Sequence, residues 1–188
     1  MEQINADMVL YGYTTGVFPM ANQDEDNEIY WVEPEFRGII PLDEFKVSKS
    51  LKQTLRSGKY RVTINAAFEQ VMRGCSNRDE TWISEEIIEV YCNLNKMGYG
   101  FSFETWNLEN ELVGGLYGIA LGRAFFGESM FSKQTDASKV ALYCLVEWMK
   151  EHKFMLLDTQ YITDHLISLG AKEIPRHEYM KMLKEALI

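Results

Sequence analysis

The most constraining feature of this sequence is a succession of three strand-like runs between residues 99 and 131, followed at once by an amphipathic helix. The runs are "YGFSFETW", "ELVGGLYGIAL" and "RAFFGESMF", separated by "NLEN" and Gly122. Such closely spaced runs predict an antiparallel meander. The helix "DASKVALYCLVEWMKEH", with Asp136 as its expected N-cap, then leads to a buried strand, "FMLLDTQ".

Helices are also predicted before this meander, at residues 4–14, 48–57 and 84–97, the last beginning with Ser84. Segment 21–41 is interpreted as a loop. Shorter elements complete the pattern: strands at 60–65 and 171–176, and helices at 66–74, 163–170 and 177–187. Strands with helices interleaved around a long meander indicate an α+β or mixed α/β sheet.

Composition excludes several classes of protein. A chain of 188 residues with 46% hydrophobic residues predicts one main globular domain. The sequence contains no apolar run long enough for a membrane span, and its first ten residues do not resemble a signal peptide, so we expect a cytoplasmic protein with no membrane partner. The three cysteines and three histidines lack the spacing of a disulfide framework or a metal motif, so no metal is expected.

A basic segment stands out against the net charge of −9. Residues 46–61 contain six Lys and Arg residues and no acid. On a helix, Lys49, Lys52 and Arg56 would share one face, which could hold a phosphate backbone. A solvated helix face explains the same pattern equally well, so both alternatives stay open. We call the four cations Lys46, Lys49, Lys52 and Arg56 the basic strip.

Three polar side chains interrupt the apolar pattern of the predicted strands. Asp158 and Gln160 lie two residues apart at the end of one strand, so both emerge on the same face, where open sheets commonly bind ligands. Glu128 lies at the end of the third meander strand. The structural alternatives are a helix cap for Asp158 and a buried ion pair for Glu128, because an unpaired buried carboxylate is costly. These residues mark a site without naming a reaction.

Longer stretches of the sequence resemble one family, the leucyl/phenylalanyl-tRNA–protein transferases. The resemblance is carried by "GVFPM", "WVEPEFRGIIP", "YRVTINAAFEQV", "GCSNRDETWIS", "GGLYGIALGRAFFGESMFSKQTDASKVAL" and "LLDTQYITDHLISLGAKEIPR". It implies a GNAT-like catalytic domain at 61–188, a mixed sheet flanked by helices, preceded by a reduced N-terminal domain at 1–60. It also implies transfer of leucine or phenylalanine, with methionine as a further candidate, from aminoacyl-tRNA to proteins that begin with Arg or Lys, which marks them for degradation.

The same resemblance implies roles for individual residues. Gln160 would accept a hydrogen bond from the attacking amine, Asp158 would orient it, and Glu128 would hold the amine or the cationic end of the acceptor. The acyl and adenosine groups of the donor would contact a further set of residues: Phe125, Ser129, Met130, Trp82, Tyr91, Tyr13 and Met20. The basic strip would bind the tRNA. No cofactor is implied, because aminoacyl-tRNA is itself an activated donor and aminolysis of its ester needs orientation more than a strong base.

The chain departs from the family pattern at Met20, where a tryptophan is common. Stacking of a base on an aromatic ring contributes about 1 to 3 kcal/mol, so adenosine binding is expected to differ here. Three rival functions remain open. They are the same donor chemistry with another aminoacyl group or a small-molecule amine, a non-catalytic module that binds aminoacyl-tRNA or N-terminal peptides, and an acetyl-CoA-dependent enzyme. The pyrophosphate-binding loop typical of the last is missing before Asp136.

Overall fold

Helices and strands follow one another in an order that builds one large sheet and one small hairpin. The computed structural model describes residues 4–188. Its helices are α1 (Ala6–Thr15), α2 (Lys49–Arg56), α3 (Phe68–Ser76), α4 (Glu85–Lys96), α5 (Ala137–Glu151), α6 (Asp164–Ser168) and α7 (Arg176–Ala186). Its strands are β1 (Phe18–Asn22), β2 (Glu28–Val32), β3 (Phe36–Ile39), β4 (Arg61–Ile64), β5 (Gly100–Trp106), β6 (Leu112–Leu121), β7 (Ala124–Ser132), β8 (Leu156–Gln160) and β9 (Lys172–Pro175).

The large sheet has seven strands in the order β4-β5-β6-β7-β8-β3-β9, and β1 and β2 form a separate antiparallel pair. The predicted meander is confirmed, since β5, β6 and β7 pair antiparallel in sequence. Helix α5 then connects β7 to β8, which pair parallel. Helices α1, α3, α4 and α7 contribute to the apolar core on one face of the sheet, and α5 contributes to the core on the other. The predicted α+β mixed sheet is therefore confirmed.

Side-chain caps begin four of these helices. Asn5, Ser48, Ser84 and Thr163 each accept a hydrogen bond from the main-chain N–H three residues later. Each cap satisfies an N–H group that has no partner within its helix. Ser84 therefore begins α4 as predicted from the sequence.

Asp136 lies at the N-cap position of α5, as predicted, but its side chain does not cap the helix. Asp136 has a φ of 66°, in the left-handed region, and its side chain makes no cap hydrogen bond. Its carboxylate instead accepts hydrogen bonds from Thr54 Oγ1 at 2.9 Å and from Lys139 Nζ at 3.1 Å. Asp136 therefore ties α2 to the beginning of α5.

The prediction of a loop at 21–41 is wrong, because β2 and β3 lie within this segment. β3 has only four residues and is inserted between β8 and β9, both of which lie more than a hundred residues later in the chain. Pairing over such a distance leaves no local pattern. The domain boundary at residue 60 stays a prediction, although β3, from the N-terminal side of it, shares the sheet with strands from the other side. Within residues 4–188, no helix has the length and hydropathy needed to cross a bilayer.

Candidate active site

A pocket of about 230 Å³ opens where β7 and β8 separate. The two strands pair only from Ala124 and Leu156 to Phe126 and Asp158, whereas β7 continues to Ser132. The gap between them is lined on its apolar side by leucines from β6, α5 and β8: Leu116, Leu142, Leu145 and Leu157. Ligand sites are typically concave and apolar, with a few polar groups that fix orientation.

Glu128 reaches this pocket because β7 has a bulge at that position. Gly118 of β6 pairs with Gly127, and Tyr117 pairs with Ser129, so Glu128 has no partner in the ladder. A bulge bends its strand and re-aims the side chain at the extra residue. Glu128 is partly buried and forms part of the pocket lining.

The carboxylate of Glu128 is held by three hydrogen-bond donors. Tyr13 Oη donates to Oε1 at 2.5 Å, Gln160 Nε2 donates to Oε1 at 3.1 Å, and Tyr91 Oη donates to Oε2 at 3.5 Å. The two phenols are also 2.6 Å from each other. Burial raises the pKa of Glu128 to about 8, although the hydrogen bond from Tyr13 opposes the shift. The predicted alternative of an ion pair is wrong, since the partners of Glu128 are phenols and an amide.

Gln160 ends β8 in an unusual main-chain conformation. Its φ is 57°, and its main-chain N–H donates to Asp158 Oδ1 at 2.8 Å. This turn directs the side-chain amide towards Glu128. The side-chain Nε2 donates to Glu128, and within residues 4–188 no group donates a hydrogen bond to the side-chain Oε1. Gln160 therefore has an acceptor atom without a protein partner beside Glu128, although the residue is only 6% exposed and is not among the residues that line the pocket.

Asp158 is enclosed by protein groups and does not line the pocket. Its carboxylate accepts hydrogen bonds from Arg37 Nε at 2.9 Å and from Arg37 Nη2 at 2.6 Å. Tyr179 Oη donates to Oδ2 at 2.8 Å. Burial opposes the charge on Arg37, but the neighbouring Asp158 outweighs it and raises the pKa of the guanidinium. The helix cap considered for Asp158 is wrong, because Thr163 caps α6. Asp158 acts on the site through the main chain of Gln160.

The structure brings several of the predicted substrate-binding residues to the pocket and its polar end. Ser129 and Met130 line it beside Glu128, and Tyr13 and Tyr91 hold that carboxylate from behind. Phe125 does not line the pocket. It is fully buried in the same apolar cluster as the four lining leucines, with ring centroids of Phe103 and Trp148 6.4 and 6.5 Å away.

Trp82 and Met20 lie together at another place on the core, outside the pocket lining. Ala21, next to Met20, donates its main-chain N–H to Trp82 O at 3.2 Å. Both side chains are partly buried. Met20 pairs with Tyr30 across the β1–β2 hairpin, and the Tyr30 hydroxyl lies 4.0 Å from Met20 Sδ. Tyr30 thus presents an aromatic ring beside the position where the family commonly has tryptophan.

The basic strip is on the surface, as expected for either of its two explanations. All four cations are exposed, and Lys49, Lys52 and Arg56 line one side of an open groove along α2. Within residues 4–188, none of the four forms an ion pair with an acidic side chain. Their positive charge is therefore not neutralised by neighbouring carboxylates in direct contact.

Sequence reasoning missed several residues of the site. Arg37 and Tyr179 bind Asp158 from 121 and 21 residues away, and no local pattern indicates such contacts. Arg78 lies at the pocket rim, where Nη2 donates to Ser129 Oγ at 3.0 Å and to Met130 O at 3.1 Å. Its place in the polar string "SNRDETW" was the one available signal. Within residues 4–188, no group of three or more His, Cys, Asp or Glu side chains is placed to hold a metal ion.

A solved structure shares the fold of this chain. The solved structure of FemX matches 92% of this chain and 68% of its own, with a TM-score of 0.58 at 11% sequence identity. The mixed sheet, its separated parallel strands and the flanking helices have a GNAT-like architecture, and the predicted fold class is confirmed.

Sequence comparison then identifies the family. The leucyl/phenylalanyl-tRNA protein transferase model matches residues 39–184, and the model of the N-terminal domain of that family matches residues 2–35. A leucyl/phenylalanyl-tRNA–protein transferase of Paramagnetospirillum magneticum is 52% identical over 191 residues, covering 100% of this chain and 91% of the relative. One of Herpetosiphon aurantiacus is 51% identical, covering 99% and 96%. This chain belongs to the leucyl/phenylalanyl-tRNA–protein transferase family.

Proposed function

We propose that this protein moves leucine or phenylalanine from aminoacyl-tRNA to the α-amine of proteins that begin with Arg or Lys. The observation that carries the proposal is the contact between Glu128 and Gln160 at the polar end of an apolar pocket. Membership of the family supports the class of donor and acceptor. The product would carry an N-terminal degradation signal, and the reaction would take place in the cytoplasm, where charged tRNA is found.

The apolar side of the pocket would bind the side chain of the transferred amino acid. The leucines of β6, α5 and β8, together with Met130, line one side of a volume of about 230 Å³ and carry no charge. Burying an aliphatic or aromatic side chain there would contribute about 1.5 to 3 kcal/mol. Phe125 would support this wall from within the core instead of touching the substrate.

The reaction between the acceptor amine and the ester would take place at the polar end of the pocket. The acceptor amine attacks the ester carbonyl carbon, a C–N bond forms, the ester C–O bond breaks, and the ribose oxygen takes a proton. A protein α-amine has a pKa of about 7.7 to 8.0, so a useful share is neutral near pH 7. Gln160 Oε1 would accept a hydrogen bond from this amine, and the ionised fraction of Glu128, whose pKa is about 8, would hold its charge or take its proton.

Asp158 would be a positioning residue in this scheme. Its carboxylate fixes the main chain of Gln160, and Arg37 and Tyr179 fix the carboxylate. Tyr13 and Tyr91 would similarly position Glu128. Because these groups are buried and directed by protein contacts, the site would not need to reorganise during the reaction.

The donor tRNA would bind along a surface that includes the basic strip. Trp82 and Met20 would lie near the terminal adenosine, as the resemblance to the family implies. The exposed cations of α2 would contact phosphates, since exposed Lys and Arg residues release counterions when they bind a nucleic acid.

Transfer assays test this proposal directly. Labelled leucyl-, phenylalanyl- and arginyl-tRNA are each offered with peptides that differ only in their first residue, Arg, Lys, Ala or N-acetyl-Arg. Label from leucyl- and phenylalanyl-tRNA should enter the Arg and Lys peptides alone. Equal labelling of the Ala peptide would contradict the acceptor class, and no transfer to any peptide would contradict the activity. Transfer from arginyl-tRNA would contradict the donor class.

A further inference from the structure

Tyr117 carries a buried hydroxyl with no hydrogen-bond partner. It is the single side-chain atom of this kind in residues 4–188. The residue is 0% exposed and contributes to the lining of the pocket beside Glu128 and Ser129. Leaving a buried polar group unpaired costs about 1 to 3 kcal/mol. Since the protein supplies no partner, the hydroxyl is placed to bind a group that enters the pocket.

The ring of Tyr117 is held firmly by its neighbours. Tyr91 and Phe68 pack edge-on against it, with centroid distances of 6.0 and 5.9 Å. Its main chain pairs with Ser129, directly after the bulge that displaces Glu128. The ring is therefore fixed relative to the strand segment that carries Glu128, and its hydroxyl is a buried donor close to the pocket lining.

The chemical character of this hydroxyl is that of a donor. Burial raises its pKa well above the ordinary value for tyrosine, and the neighbouring Glu128 adds to the shift, so the proton stays on the oxygen at working pH. The polar end of the pocket thus offers the carboxyl group of Glu128, which can accept a hydrogen bond, and a phenol that donates one. In the proposed reaction the attacking amine donates and the ester carbonyl oxygen accepts, so the two reacting groups complement this pair.

We propose that the Tyr117 hydroxyl donates a hydrogen bond to the ester carbonyl oxygen of the aminoacyl donor. This inference rests on the proposed function. When the amine adds to the carbonyl carbon, the π electrons of the carbonyl move onto its oxygen, and the negative charge formed there strengthens the bond from Tyr117. The charge leaves again when the ester C–O bond breaks and the ribose oxygen takes the proton. Fixed donors at such an oxygen stabilise the tetrahedral intermediate.

The test compares Tyr117→Phe with Tyr99→Phe, which removes a hydroxyl from a partly buried tyrosine that does not line the pocket. Transfer of leucine to an Arg peptide, affinity for leucyl-tRNA and the unfolding temperature are measured for each. Tyr117→Phe should lower kcat about 100-fold, keep the affinity within about threefold, and unfold at the parent temperature or above, since an unpaired hydroxyl is removed. Tyr99→Phe should match the parent in kcat and affinity.

Two results would overturn the inference while leaving the proposed function standing. One is an active parent whose Tyr117→Phe variant transfers leucine at the same rate, as expected if water alone meets the hydroxyl. The other is a loss of rate accompanied by a lower unfolding temperature, as expected for a structural role. A parent that transfers nothing contradicts the proposed function itself and overturns the inference with it.

Discussion

Arg37 and Asp158 form a two-pronged ion pair inside the protein, with side chains only 1% and 0% exposed. Nε and Nη2 of Arg37 lie 2.9 and 2.6 Å from the two carboxylate oxygens. The guanidinium also donates to Gly16 O at 3.0 Å, which joins the end of α1 to the main sheet. Because the same carboxylate binds the main chain of Gln160, this ion pair holds the end of β8 at the pocket.

Removing one partner of this pair should destabilise the fold strongly. Arg37→Met leaves the Asp158 carboxylate buried without its countercharge, which should lower the free energy of unfolding by about 3 to 5 kcal/mol. Urea denaturation followed by circular dichroism measures the change. Lys172→Met is the control, because it removes an exposed pair with Glu44 and should cost less than about 1 kcal/mol. Equal costs for the two variants would show that the buried pair is not structural.

Glu128 should make the stability of the protein depend on pH. Its pKa is about 8 in the folded chain against an ordinary value of 4.5, so between these values the folded state binds more protons than the unfolded state. Stability therefore falls as pH rises from about 5 to 8. The Glu128→Gln variant does not titrate at this position. Its free energy of unfolding, taken relative to that of the parent, should therefore rise by roughly 2 to 4 kcal/mol between pH 5 and pH 9, allowing for partial exposure. Urea unfolding at pH 5, 7 and 9 measures it, and parallel pH profiles would refute the assignment.

The basic strip should make tRNA binding sensitive to salt. Changing Lys49, Lys52 and Arg56 to Glu should weaken binding of leucyl-tRNA and reduce the slope of log K against log salt by about 2 to 3, since each phosphate contact contributes about 0.7 to 0.9. Filter binding measures the slope at salt concentrations from about 50 to about 200 mM, where phosphate contacts strongly affect the affinity. A control variant with the same change of charge at Lys96, Lys181 and Lys184 should lose less. Equal losses would assign the effect to net charge alone.

Met130 should influence which amino acid is transferred. Met130→Trp narrows the pocket and should reduce kcat/KM for phenylalanyl-tRNA more than for leucyl-tRNA, by about 10-fold in the ratio, because a pocket discriminates by roughly 1 to 3 kcal/mol per misfitting group. Met130→Ala, which widens the pocket, is the matched control and should shift the ratio the other way. Competition between the two tRNAs in one assay gives the ratio. An unchanged ratio in both variants would place the acyl side chain elsewhere.

Local periodicity and capping were enough to predict the meander and most helices. They also predicted that Asp158 and Gln160 lie together at the end of one strand. Glu128 could be predicted to belong to the same site from the family resemblance, since the bulge that brings it to the pocket has no distinctive sequence pattern. β3 was missed because a four-residue strand bearing a buried arginine resembles a charged loop, and its meaning depends on Asp158, 121 residues away. For the same reason, the sequence could not show that Asp158 is enclosed by protein groups.

The most direct test of the account is the rate of leucine transfer by Gln160→Asn. Asparagine tolerates the positive φ at this position and keeps the main-chain hydrogen bond to Asp158, but its side chain is one methylene shorter. Transfer to an Arg peptide should fall by about 100-fold, within the range for loss of a positioned proton acceptor, while leucyl-tRNA affinity and the unfolding temperature should match the parent. Transfer at the parental rate would contradict the assignment of Gln160, with Glu128, as the group that receives the attacking amine.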